Sequence, residues 1–246
     1  LSLAQTGYDA GNYARNAKVI MVDIDQAELD KDTVKLHLKI RSDARLFLEE
    51  LNRQLFQAEL DNHQWDRWIT QCQQWRQQYP VVLPEYRDQV GRVNSYHFID
   101  TLSDVLESDD IVVTDMGFAF QNTHQAFRIK KGQRVFTNCG LASMGWGLPA
   151  AVGACFGSGK KRTICVVGEG GLLMTTQEMA TIMHHRLPVK LFIFNNGGYL
   201  TIKQTQELGF DGRLMGINED SGLSFPDFMK IAEANNFKAI RLTSHQ

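Results

Sequence analysis

The sequence has no marked excess of either charge. Its 26 lysines and arginines face 28 aspartates and glutamates, for a net charge of −2, so no field steers it toward nucleic acid or an anionic membrane. It also lacks a signal-peptide pattern and any apolar run of the ~20 residues that cross a bilayer. Cysteine is scarce and unpatterned: Cys72, Cys139, Cys155 and Cys165 show no CxxC spacing, and three of them fall in apolar or glycine-rich surroundings that read as interior. A disulfide framework is thereby set aside in favour of reduced thiols in a cytoplasmic protein. No methionine precedes Leu1, and Lys238–Leu242 reads as a strand with little after it; the expectation is a piece of a longer protein. What remains is ordinary for a folded domain, with 43% apolar and 22% charged residues. At 246 residues the chain can hold one complete domain and part of another.

Along the chain, Ala17–Asp25 reads as a buried strand, a short apolar run ending in acidic turn residues. A short helical stretch is expected at Gln26–Leu29, an alternating half-buried strand at Val34–Ile40, and an amphipathic helix at Asp43–Leu55. From Phe56 to Gly91 the composition turns to Gln, Trp and Pro. Trp65, Trp68, Ile69, Cys72 and Tyr79 recur near helical spacing, which predicts a helix packed on a neighbouring domain rather than a ligand cage. Beyond Val93, helices are expected at Asn94–Leu106, Phe118–Phe127, Gly145–Phe156, Leu172–His184 and near Tyr199 and Pro226. Strands are expected at Ile111–Val113, Arg134–Thr137, Thr163–Val167 and Val189–Phe194. The fold class is α/β: a doubly wound parallel sheet with helices on both faces (92–246), preceded by part of a second α/β domain (1–56) and a helical linker (57–91). Ligands of such sheets sit at the carboxyl ends of the strands.

One strand end stands out. Ile164–Val167 runs into Gly168-Glu169-Gly170-Gly171 before a helix. Glycines there permit a tight turn and bare backbone N–H groups that can hold phosphate, although a glycine-rich turn with no ligand has the same pattern. A carboxylate inside it repels phosphate unless a cation lies between. The next strand ends in Asn195-Asn196-Gly197-Gly198, which reads either as a plain turn or as a source of amide and carbonyl oxygens for Mg²⁺ beside Glu169. The residues alone leave both readings open.

Gly168-Glu169-Gly170, then 24 residues, then Asn195-Asn196 resembles the motif by which thiamine diphosphate enzymes hold magnesium and the cofactor's diphosphate. Several other stretches resemble the acetolactate synthase family in particular: Gln177–Thr181, Leu187–Lys190, Gly140–Ala151, and Asn12–Asp25 at the end of that family's central domain. Gly212–Phe228 is similar to members associated with surface-polysaccharide and unusual-sugar pathways. The resemblance implies that Glu169, Asn196 and the Gly198 carbonyl coordinate Mg²⁺, and that Gly170 and Gly171 hold diphosphate through their N–H groups. Ala142 and Met144 would bond the aminopyrimidine, with the Met144 side chain under the bent cofactor. Gly117, Gly168 and Asn196 join the cofactor-binding set. It further implies a homodimer or homotetramer, flavin (FAD) in the central domain of some members, and a 2-oxo acid substrate, with pyruvate as donor for carboligation. The activating glutamate of the family lies in an N-terminal domain absent from this chain, so no catalytic residue is expected here and the chain alone should not turn over.

Two positions and one loop depart from the family pattern. Glu169 stands for aspartate, so the loop must retreat or metal affinity must fall. Gly171 stands for a small hydroxyl residue or alanine, and Gly117-Phe118-Ala119-Phe120 for a loop containing Gln and His. The rival readings are simple 2-oxo acid decarboxylation, a non-catalytic homologue with a degenerate metal site, and an NAD-binding domain. The last lacks the full GxGxxG form. Elsewhere, His184-His185 reads as a complement to a helix C-terminus, His124 as a residue near the site that can handle protons, and Asp23-Ile24-Asp25 as an acidic turn.

Overall fold

The computed structural model describes residues 3–58, 63 and 65–245. The chain divides into two compact units, Leu1–Tyr79 and Pro80–Gln246. In the first, after a helical turn α1 (Leu3–Thr6), strands β1 (Ile20–Asp23) and β2 (Leu38–Arg41) pair in parallel, Ile20 opposite Leu38. Helix α2 (Gln26–Leu29) joins them, and α3 (Ala44–Gln57) and α4 (Asp66–Gln78) follow. Side-chain caps define the helix starts. Asp25 accepts from the Ala27 N–H, and Asp43 from those of Arg45 and Leu46. Both strands are shorter than their apolar patterns predict, and β1 is not buried: Ile20 is 57% exposed and Ile24 just beyond it 68%. A parallel pair needs cover on both faces, and among the described residues of this unit only Leu29 and Val34 are buried hydrophobics. The tryptophan stripe of α4 is likewise exposed, with Trp68 at 59% and set edge-to-face on Trp75 at 5.6 Å. Part of the expected linker, residues 59–62 and 64, lies outside the described residues.

The second unit contains α5 (Ser95–Val105), β3 (Ile111–Thr114), α6 (Phe118–Ala126), β4 (Arg134–Phe136) and α7 (Gly147–Gly157). Then come β5 (Thr163–Gly168), α8 (Glu169–Met174), α9 (Glu178–His185), β6 (Val189–Phe194), α10 (Leu200–Gly209) and α11 (Phe228–Ala234). The four strands form one parallel sheet in the order β4-β3-β5-β6. Alternate strand residues feed two separate cores, as period-2 geometry requires. Ile111, Val113, Cys165 and Val167 pack with Leu148, Ala151 and Cys155 of α7, Leu172 of α8, Met179 and Ile182 of α9 and Phe228 of α11. Val112, Ile164 and Val166 pack on the other face with Ile99 and Leu102 of α5 and Ala119 and Ala126 of α6. Helices therefore cover both faces, as expected of a doubly wound sheet.

Three expectations are corrected here. The single helix at Leu172–His184 is two helices. Thr175 leaves helical geometry at φ −140° and donates its hydroxyl to Gly145 O at 3.1 Å, while Thr176 donates to Leu172 O at 2.8 Å. These side-chain bonds compete with the helical ladder and end α8. Lys238–Leu242 is exposed and forms no strand among the described residues. Two rather than three cysteines are interior: Cys155 and Cys165 are buried, and Cys72 and Cys139 are exposed.

Candidate active site

The chain leaves β3 for β4 on one side and returns to β5 on the other, so the carboxyl ends of β3 and β5 flank the topological switch point of the sheet. That crevice is where doubly wound folds bind ligands. β3 delivers Asp115 and then Gly117, whose φ of +77° and ψ of −146° suit glycine alone, at the start of α6. β5 delivers Gly168, Glu169, Gly170 and Gly171, and the neighbouring β6 delivers Asn196 and Gly198. A cavity of about 350 Å³ opens there. It is lined by all of the residues predicted from sequence: Gly117, Ala142, Met144, Gly168, Glu169, Gly170, Gly171, Asn196 and Gly198. Ala142 sits at φ +54°, left-handed geometry that costs a non-glycine residue about 1–2 kcal/mol, and its N–H donates to Asn138 O at 2.8 Å.

Glu169 is 1% exposed. Its Oε1 accepts the backbone N–H groups of Gly198 at 2.8 Å and Asn196 at 3.1 Å. The added methylene therefore carries the carboxylate across to the loop after β6. The Asn196 amide closes the knot. With its nitrogen inward it donates to Gly198 O at 2.7 Å and to Glu169 Oε1 at 3.0 Å. With its oxygen inward, three oxygens stand at those same separations, which is repulsive without a cation. Adjacent ligands of an octahedral Mg²⁺ shell with bonds of about 2.0–2.1 Å lie about 2.9 Å apart. The Glu169 carboxylate, the Asn196 side-chain oxygen and the Gly198 carbonyl thus have spacings that a hard divalent cation would accept.

The glycines beside it are set by close approach. A Cβ on Gly170 would lie 1.8 Å from Cε1 of Tyr199, and one on Gly171 would lie 2.5 Å from Oδ2 of Asp115. Gly198 is equally confined, with Ile217 O 2.6 Å from its Cβ position. Because the first N–H groups of a helix have no intrahelical partner, the start of α8 offers Gly170 and Gly171 as donors to an anion, and Glu169 supplies the counterpart for an intervening cation.

A family model described as thiamine pyrophosphate enzyme, C-terminal TPP binding domain, matches residues 115–246, more than half of the chain. The chain belongs to the thiamine pyrophosphate enzymes. It is also similar to the acetolactate synthase large subunit of Cyanidium caldarium, 30% identical over 234 residues, covering 94% of this chain and 39% of that protein. A probable acetolactate synthase large subunit of Methanococcus aeolicus is 29% identical over 248 residues, covering 96% and 40%. Acetolactate synthase 2, chloroplastic, of Zea mays is 27% identical over 237 residues, covering 94% and 36%. The chain thus spans about two fifths of the length of these relatives.

Two further residues of the cavity bear on its shape and charge, and neither is singled out in the sequence. Tyr199 packs its ring against Gly170 and edge-to-face on Phe225 at 5.7 Å. Asp115, 1% exposed, accepts the Gly145 N–H on both oxygens, at 2.9 and 3.1 Å, and the Met116 N–H at 2.6 Å. Burial pushes its carboxyl above the usual range, against the pull of those N–H bonds. A strand-end aspartate before Met-Gly was the available signal. His124 does not line the cavity. Its ring lies against Phe120 at 4.5 Å, and burial lowers its basicity. His184 and His185 end α9 and pack on each other at 4.7 Å. Among the described residues no three His, Cys, Asp or Glu side chains cluster to hold a metal, so a cation in this cavity would need the amide and carbonyl beside Glu169. Asp23 and Asp25 make a turn and a helix cap. No helix among the described residues is long and apolar enough to cross a membrane.

Proposed function

We propose that the full-length protein carrying this chain is a thiamine diphosphate- and Mg²⁺-dependent enzyme that decarboxylates a 2-oxo acid, pyruvate as donor, and joins the remaining fragment to a second carbonyl compound. The observation that carries this reading is the convergence of the buried Glu169 carboxylate, the Asn196 side-chain amide and the Gly198 carbonyl beside the glycine cradle of α8. The cofactor, when bound, supplies the electron sink for loss of CO₂. Glu169, Asn196 and Gly198 would hold the cation, Gly170 and Gly171 the diphosphate, and Ala142 and Met144 the aminopyrimidine. Phe118, Phe120, Phe194, Leu200 and Ile202 give the cavity an apolar wall that excludes water from a reacting carbon. Similarity to acetolactate synthase large subunits over 94–96% of the chain favours carbon–carbon bond formation over release of an aldehyde. A homodimer or homotetramer belongs to the same proposal. Feeding ¹³C-labelled pyruvate to the full-length protein with Mg²⁺ and thiamine diphosphate tests it by NMR. A 2-hydroxy ketone carrying label from pyruvate is expected; accumulation of acetaldehyde alone would reassign the protein as a decarboxylase.

A further inference from the structure

We infer that Asp115 is a positioning residue that locks the aminopyrimidine-side loop (140–145) to the diphosphate-side helix α8, so that the two halves of the cofactor site keep a fixed separation. The inference rests on the proposed cofactor reading and adds to it a residue with no assigned part. Gly145 ends the loop that contributes Ala142 and Met144 to the cavity. It is held from both sides. Its N–H donates to both oxygens of Asp115, at 2.9 and 3.1 Å, and its carbonyl accepts the Thr175 hydroxyl at 3.1 Å. Thr175 caps the C-terminus of α8, the helix that starts with Glu169-Gly170-Gly171. Asp115 also fills the space that side chains at two glycines would take: a Cβ on Gly171 would stand 2.5 Å from its Oδ2, and one on Gly147 2.8 Å from its Cβ. Gly171, a departure from the resembled pattern, is thus the complement of this carboxylate. A charge effect predicts the opposite result. An anion next to a diphosphate cradle weakens phosphate binding, so removing its charge helps an inorganic anion, whereas loosening the loop harms only a ligand that uses both halves.

The test uses full-length protein in Mg²⁺, with Asp115→Asn as the near-isosteric variant and Thr175→Val as a second that severs the other bond to Gly145. Calorimetric dissociation constants are taken for thiamine diphosphate and for inorganic diphosphate, and amide exchange of residues 138–147 is followed without ligand. The expected result is at least a tenfold loss of thiamine diphosphate affinity in Asp115→Asn, a smaller loss in Thr175→Val, inorganic diphosphate bound as tightly as in wild type or tighter, and faster exchange of the loop. A parallel fall of both affinities means general damage to the site and overturns the inference, as does unchanged thiamine diphosphate affinity. Wild-type protein that binds no thiamine diphosphate instead refutes the cofactor reading on which the inference stands.

Discussion

Replacing Gly170 with alanine sets a Cβ 1.8 Å from Cε1 of Tyr199 and 2.7 Å from its Cζ. Non-bonded carbons rest about 3.5–4.0 Å apart, so that edge of the ring must move by about 1.7 Å or more. The ring is not free to do so, since it packs on Phe225 and the Tyr199 N–H donates to Ile217 O at 2.9 Å. Overpacking of this kind costs about 1–3 kcal/mol. Alanine's better helix propensity returns at most about 1 kcal/mol, and less in a first turn. A net loss of about 1–2 kcal/mol corresponds to local opening about 5–30 times more frequent. Hydrogen exchange with mass spectrometry on the full-length protein reads this directly over residues 163–175, whether or not cofactor is present. The control is Tyr199→Ala, which removes the obstacle. In that background Gly170→Ala should change exchange by less than a factor of about two, because the coupling energy is then released. An equal cost in both backgrounds would falsify the steric argument.

Two of the three glycines of α7 should respond in opposite directions. Gly147→Ala drives a Cβ to within 2.8–3.0 Å of the Asp115 backbone and Cβ and should lower protection of α7 by about 1–3 kcal/mol. Gly153→Ala, exposed with nothing within 4 Å, should raise it by about 0.8–1.0 kcal/mol. His97 has its basicity lowered by burial, then by His245 and Arg87, and its Nδ1 is buried with no hydrogen-bond partner among the described residues. Its folded pKa lies below the unfolded value near 6.5, so the unfolded state binds the proton first and α5 should open more readily as pH falls below about 6.5. His97→Phe should flatten that dependence in hydrogen exchange corrected for intrinsic rates; a flat wild-type profile contradicts the sign. Burial raises the thiol pKa of Cys155 and that of Cys165, so peptide mapping after iodoacetamide should find Cys72 and Cys139 alkylated in native protein and the other two only after unfolding.

The sheet was legible because its strands are short apolar runs, such as Ile111–Val113, bounded by turn residues, and because Asn94 and Asp43 cap their helices as side-chain chemistry requires. All nine predicted site residues line one cavity, since a parallel sheet places consecutive strand ends side by side. What failed to show was tertiary. Thr175 breaks a helix whose apolar spacing continues past it, because its hydroxyl finds Gly145, thirty residues earlier in the chain. Asp115 stands in the sequence only as a residue just past a short apolar strand, because its partner Gly145 lies thirty residues further on. Tyr199 was passed over because the ring that fixes Gly170 is 29 residues away in sequence. Apolar periodicity in β1 and α4 marked faces suited to burial, and among the described residues those faces are exposed.

The central claim is that Glu169 works as a metal ligand despite its longer arm. Calorimetry of thiamine diphosphate binding to full-length protein, with and without Mg²⁺, tests it on wild type, Glu169→Asp and Glu169→Ala. Mg²⁺-dependent binding is expected in wild type, with a loss of about 100-fold or more in Glu169→Ala, since even an outer-shell change at a metal site costs about 10–100-fold. Absence of binding in wild type, restored by aspartate, would mean that the knot at Glu169 closes the site rather than building it.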